Sequence, residues 1–161
     1  MRHFVFFTIL TLCIALPAAA KVTFNDLLDE MTDLQRLTEL PDPRYTTAQF
    51  SSYDQASTDP DVLTDENWFA NHDRGQFLRR EERNGATEYV LMDTAGPGAI
   101  VRIWSANPDD AGTVRVYLDS REEPVIEMPL TEMLRGETAP FLLPIAGMRA
   151  RGWNSYLPIP Y

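Results

Sequence analysis

The sequence predicts a mostly β fold, a jelly roll or β-sandwich, with one helix near its N-terminus. Three observations carry this expectation. Short apolar stretches separated by turn residues recur at roughly ten-residue spacing over residues 88–161. Residues 113–119 alternate, with Val114, Val116 and Leu118 on one side and Arg115 and Tyr117 on the other. The helix-per-strand rhythm that builds a parallel α/β sheet is missing.

Residues 1–20 read as an export leader. Arg2 and His3 make a short basic start, an apolar run follows to Leu16, and Pro17 precedes Ala18-Ala19-Ala20, which a signal peptidase accepts; cleavage is expected after Ala20. The apolar run is about 13 residues, short of the roughly 20 that a membrane span needs. Lipidation at Cys13 would want a small residue before it, where Leu12 stands. The expected location is periplasmic or extracellular, away from the membrane after cleavage.

Cys13 is the only cysteine and leaves with the leader. Disulfides, thiolate metal sites and cysteine nucleophiles are therefore excluded from the mature chain. His3 leaves too, so His72 is the remaining histidine and a multi-histidine metal site is excluded. The 24 acidic against 14 basic residues give a formal charge of −10, which suits neutral molecules, cations or proteins better than nucleic acid or anionic lipid. With 44% hydrophobic and 24% charged residues, the composition is that of a globular chain, not a disordered or multi-pass membrane one.

Residues 21–40 are expected to be helical, because Phe24, Leu27, Leu28, Met31, Leu34 and Leu37 recur near the helical period. Thr23 or Asn25 can cap the start, Asp26 suits the positive end of the helix dipole, and Pro41-Asp42-Pro43 ends the unit at residues 21–43. Residues 44–83 are polar and irregular. A loop region this long inside a compact domain is functional or disordered. Tyr53, Trp68, Phe69 and Phe77 argue against disorder, which makes it the first place to seek a site.

Strands are expected at residues 89–92, 99–105, 113–119, 125–128, 141–143 and 153–157, and a helical turn at 131–134. Gly96-Pro97-Gly98 reads as a hairpin-type turn and residues 107–112 as another turn. The apolar segment Tyr156-Leu157-Pro158-Ile159-Pro160-Tyr161 ends without the polar tail usual at an exposed terminus. Residues 44–161 are therefore expected to be a domain truncated at its C-terminus.

Gly96-Pro97-Gly98 is no dinucleotide fingerprint, since the third glycine is missing and a strand follows. Ser51-Ser52-Tyr53-Asp54 supports two readings: a hydroxyl-rich loop that hydrogen-bonds a sugar, or side chains that satisfy loop backbone groups. A serine nucleophile would need His72 as its base, and nothing in the spacing supports that pairing. Paired carboxylates suit glycosidic chemistry. Candidates are plentiful (Glu66, Asp73, Glu81, Glu82, Glu88, Asp93, Glu122, Glu123, Glu127, Glu132), but most acids on an acidic protein simply face water. Asp59, Asp61, Asp65 and Glu66 lack the spacing and the glycine of a calcium loop. No cofactor is implied.

Taken in order, Ser51-Ser52-Tyr53-Asp54, Trp68-Phe69-Ala70, the run from Gly96 to Pro108, Tyr117-Leu118-Asp119 and the segment from Tyr156 to Tyr161 resemble the N-terminal part of glycoside hydrolase family 172. The resemblance covers roughly residues 40–161. It implies a parent protein of two β-jelly-roll domains, of which this chain would hold the first, assembled as trimers or hexamers. It also implies retaining hydrolysis of furanosides (fructofuranose or arabinofuranose linkages) by two glutamates that lie after the segment matching Tyr161. This chain would then hold no catalytic residue and would contribute substrate-site loops and oligomer contacts. On that resemblance Ser51 and Ser52 would hydrogen-bond sugar hydroxyls, Tyr53 would line the site, Asp54 would accept hydrogen bonds from the sugar, and Trp68 would stack on it. Gln55 stands where members commonly carry arginine, and Arg74 near a position where an aromatic is common. The alternative is a non-catalytic carbohydrate-binding or assembly jelly-roll module.

Overall fold

A computed structural model describes residues 22–42, 44–54, 61 and 75–161. The elements in chain order are α1 (Phe24–Thr32), a 3-10 helix (Leu34–Thr38), β1 (Arg79–Arg83), β2 (Ala86–Val90), β3 (Ala99–Ile100), β4 (Ile103–Ser105), β5 (Thr113–Val116), β6 (Ile126–Pro129), α2 (Leu130–Arg135), β7 (Glu137–Thr138), β8 (Phe141–Leu142), β9 (Ala146–Arg149), β10 (Gly152–Ser155) and β11 (Ile159–Pro160). All the pairings are antiparallel, in small sheets ordered β1-β2, β4-β10-β9, β11-β3, β5-β6 and β7-β8.

The N-terminal helix is shorter than its periodicity predicts. Thr23 closes a capping box: its hydroxyl accepts from the Asp26 amide at 3.2 Å, and the Asp26 carboxylate accepts from the Thr23 amide at 3.1 Å. At Asp33 the backbone becomes extended, and the Asp33 carboxylate accepts from the Gln35 amide at 3.0 Å to start the 3-10 turn. This break takes Leu34 and Leu37 off the helical stripe, leaving them 74% and 81% exposed. Thr23→Ala should cost α1 about 1 kcal/mol, the usual loss of an N-cap, read as faster amide exchange in α1. The Thr23 hydroxyl, then its amide, hold the Asp26 carboxyl below its ordinary pKa. The cap should therefore be intact above the usual aspartate range and weaken as pH falls through the lowered value. Amide chemical shifts of Thr23 and Asp26 through an acid titration check this.

β1 and β2 form a hairpin closed by Asn84 (φ 52°) and Gly85 (φ 76°), with Arg83 paired to Ala86. Two consecutive positive φ values mark the turn whose twist matches paired strands. The expectation that residues 44–83 are irregular is thus corrected at their end, where β1 is a strand without apolar alternation. The hairpin docks through polar groups. The Tyr117 hydroxyl donates to Glu88 at 2.8 Å, the Arg83 guanidinium lies 4.4 Å from the Tyr117 ring centre, and Arg115 sits 3.4 Å from Glu88. Burial, then the bond to Glu88, push the Tyr117 phenol above its usual pKa.

The alternation predicted for β5 separates two environments. Arg115 faces its cross-strand partner Glu127 at 2.8 Å, on the side that receives the hairpin. Val114, opposite Met128, turns the other way into the core. There Met133 and Leu134 of α2, Phe141 of β8 and Ala146 of β9 are fully buried. Ile103, Trp153 and Leu157 close the core from the side of β4 and β10, and Val114, Ile126 and Met128 close it from β5 and β6. Two sheets thus share one apolar layer, with α2 packed into it.

Residues 99–105 form two strands instead of one. β3 pairs with β11, while β4 pairs with β10. Gly96-Pro97-Gly98 therefore bends the chain without closing a hairpin. Gly98 and Tyr161 exchange both backbone hydrogen bonds at 2.9 Å. A Cβ on Gly98 would lie 2.6 Å from the Tyr161 ring, so this close approach explains the glycine. Among the described residues no helix is long and apolar enough to cross a membrane.

Candidate functional site

Residues 44–54 form no helix or strand. Ser51, Ser52 and Tyr53 are exposed there, whereas Asp54 is only 1% exposed. An enclosed carboxylate is costly to bury without compensation, and Asp54 is engaged by a partner. The loop thus presents three exposed hydroxyl-bearing side chains in a row, followed in sequence by a buried acid. Trp68, the predicted stacking residue, lies outside the described residues, as do Gln55, His72, Arg74 and the leader.

A second polar and aromatic arrangement was not assembled from the sequence. In the β4–β10 register Trp104 pairs with Asn154, and Ile103 with Ser155. Side chains alternate along strands, so Trp104, Gly152 and Asn154 share one side while Ile103 and Trp153 point to the core. Arg102 and Tyr156 follow next beyond the Ile103–Ser155 pair and extend that first side together at one end. Arg102 donates from Nε and Nη2 to Asn154 Oδ1 at 3.1 and 2.9 Å. The Tyr156 hydroxyl donates to the same oxygen at 3.4 Å, and the guanidinium carbon lies 5.8 Å from the Tyr156 ring centre. Asn154 itself is 2% exposed, and its Nδ2 donates to the Gly152 carbonyl at 3.0 Å. The Trp104 indole fills the space beside Gly152 that a Cβ would need, yet Trp104 remains 55% exposed. The spacing by two at Arg102 and Trp104, and at Gly152, Asn154 and Tyr156, is visible in the sequence. The register that joins the two sets is not.

Among the described candidate carboxylates, Glu81, Glu88, Asp93 and Glu127 are engaged by arginines, whereas Glu82 accepts from the Thr87 hydroxyl at 2.7 Å. Glu81 meets Arg79 at 2.6 Å and Arg83 at 3.5 Å; Glu88 meets Arg83 and Arg115 at 3.4 Å each; Glu127 meets Arg115 at 2.8 Å; Asp93 meets Arg79 at 2.6 Å. The hydrogen bond from Arg79 lowers the Glu81 pKa and so keeps it ionised, the opposite of what a general acid needs. A shallow depression of about 450 Å³ beside the 107–112 turn is lined by Asp109, Asp110, Thr131 and Arg135 among others, and holds none of the predicted site residues.

Small antiparallel sheets around one apolar layer, with a polar-aromatic outer side, define a β-sandwich domain. The family model described as the GH172 first beta-sandwich domain matches residues 43–161. The chain belongs to this family, glycoside hydrolase family 172. No curated protein and no solved structure matches it.

Proposed function

We propose that this chain is the N-terminal portion of an exported glycoside hydrolase acting on fructofuranose or arabinofuranose linkages, and that it supplies substrate-site loops and oligomer contacts, not the catalytic glutamates. The reading is carried by the loop at residues 51–54, in a chain that belongs to a glycoside hydrolase family: exposed Ser51, Ser52 and Tyr53 stand beside an enclosed Asp54. Hydroxyl side chains can exchange hydrogen bonds with sugar hydroxyls in both directions. Asp54 fixes the loop and accepts hydrogen bonds from it or from the sugar, and Trp68 stacks. Arginine-bound Glu81, Glu88 and Glu127 fit a chain whose partner domain brings the catalytic pair. The same observation is compatible with a non-catalytic carbohydrate-binding or assembly module.

Calorimetric titration of arabino- and fructo-oligosaccharides into the full-length protein tests the reading. Asp54→Ala should weaken binding about tenfold or more, the scale of a lost charge-assisted hydrogen bond. Affinity and turnover equal to the unaltered protein would retire the loop as a sugar site. Binding without hydrolysis by the full-length protein would favour the non-catalytic module.

A further inference from the structure

We propose that the outer side of β4 and β10 is a carbohydrate-contact surface, on which Trp104 stacks against the apolar face of a neutral sugar ring and Arg102 donates to its hydroxyls. The proposal rests on the glycoside hydrolase reading for its ligand class, and on geometry for its location. Four observations converge on it.

The indole of Trp104 is fixed but open. It lies against Gly152, where a side chain would displace it, and still leaves more than half of the residue's surface to solvent. A planar aromatic held in this way offers an apolar face with little entropy left to lose.

Arg102 is equally fixed. Its Nε and one Nη2 hydrogen are taken by Asn154, a buried amide that is itself anchored to the Gly152 carbonyl. No described residue accepts from the Nη1 of Arg102. Asn154 and Tyr156 are neutral partners, whereas Arg36, Arg79, Arg83 and Arg115 are all paired with carboxylates. Among the described residues no acid neutralises Arg102. A donor group kept oriented in this way suits a ligand that brings acceptors.

Charge selects among such ligands. A chain with a net charge of −10 disfavours polyanions at long range. Arg102 beside Tyr156, with Arg149 of β9 in register with Gly152 on the same side, gives this surface donors next to the Trp104 ring. That arrangement fits a neutral polyhydroxyl ring that is apolar on one face and rich in oxygen acceptors at its rim.

The surface is also separate from the apolar core. Core-facing Ile103 and Trp153 lie on the opposite side of the same strands, so changes at Arg102 and Trp104 leave the apolar layer intact.

The test uses the full-length protein, with arabinofuranose and fructofuranose trisaccharides as probes. Calorimetry gives affinity and thermal melting gives fold integrity. Trp104→Ala and Arg102→Gln should each weaken binding about tenfold or more, the scale of one lost ring stack or donor. Because Arg102 bonds buried Asn154 and the indole packs on Gly152, the melting temperature should fall modestly, and affinity is read well below it. Gly152→Ala provides a second line, because it keeps both side chains but pushes the indole aside. It should weaken binding in the same direction and alter tryptophan fluorescence. Ser52→Ala and Tyr53→Phe are measured in parallel. Loss only at Arg102, Trp104 and Gly152 supports this surface and counts against the loop. Wild-type affinity in all three of these variants, with loss at Ser52 or Tyr53, overturns this surface and leaves the loop reading standing. An unaltered protein that binds neither trisaccharide overturns both.

Discussion

Phe141→Ala should destabilise the domain by about 3–5 kcal/mol, the cost of deleting a large aromatic from a closed core. Phe141 is 1% exposed and shares its layer with Met133, Leu134 and Ala146, the other fully buried apolar side chains of that cluster. Such a small cluster gives little room for compensation. Typical domains are stable by about 5–15 kcal/mol in total, so the variant should sit near the edge of folding. Urea titration should show a lower midpoint with an unchanged slope, the signature of lost stability without a change in the surface exposed. A loss below about 1 kcal/mol would mean that the site relaxes around the missing ring and that the core is not the tight layer described above.

Gly136→Ala should cost about 2–4 kcal/mol. Gly136 ends α2 in the left-handed region at φ 81°, ψ 21°. A side chain there carries a conformational cost of about 1 kcal/mol, and overpacking adds about 1–3 kcal/mol. The added Cβ would meet the Ala146 carbonyl oxygen at 2.5 Å and Leu143 Cγ at 3.0 Å. Leu143 can turn aside, but Ala146 is backbone within β9 and paired with Ser155 of β10. Relief would mean shifting one strand against another. Gly85→Ala is the control: its φ is 76°, but nothing lies within 4 Å of the added Cβ. It should show the conformational part alone, about 1 kcal/mol. Equal losses in the two variants would remove the steric argument at Gly136.

Those glycines illustrate how far the sequence could be read. The alternation around Val114 and Arg115 identified β5 and both of its faces, because a strand between an apolar layer and a polar one must alternate. The helical turn near residues 131–134 emerged as α2. β1 was hidden because Arg79-Arg80-Glu81-Glu82-Arg83 docks by ion pairs and has no apolar signature, although Asn84-Gly85 is a hairpin signal in its own right. The short β7 and β9 carry too few residues, or too much glycine, for a pattern to register. The pairing of β3 with β11 joins residues some sixty positions apart, and local periodicity holds no information about it. The same limit applies to the site. The motif at Ser51 to Asp54 could be picked out by composition, but the burial of Asp54 beside exposed neighbours could not. Arg102 and Asn154 look like unrelated polar residues until the register brings them within 2.9 Å.

The self-contained cap of α1 has a practical corollary. Thr23 and Asp26 satisfy each other, and none of the helix's residues is fully buried. The segment therefore behaves as an appendage whose removal or replacement leaves the apolar layer of α2, β8 and β9 untouched. A fluorescent label or an affinity handle grafted in its place should report on the sandwich without perturbing how it melts.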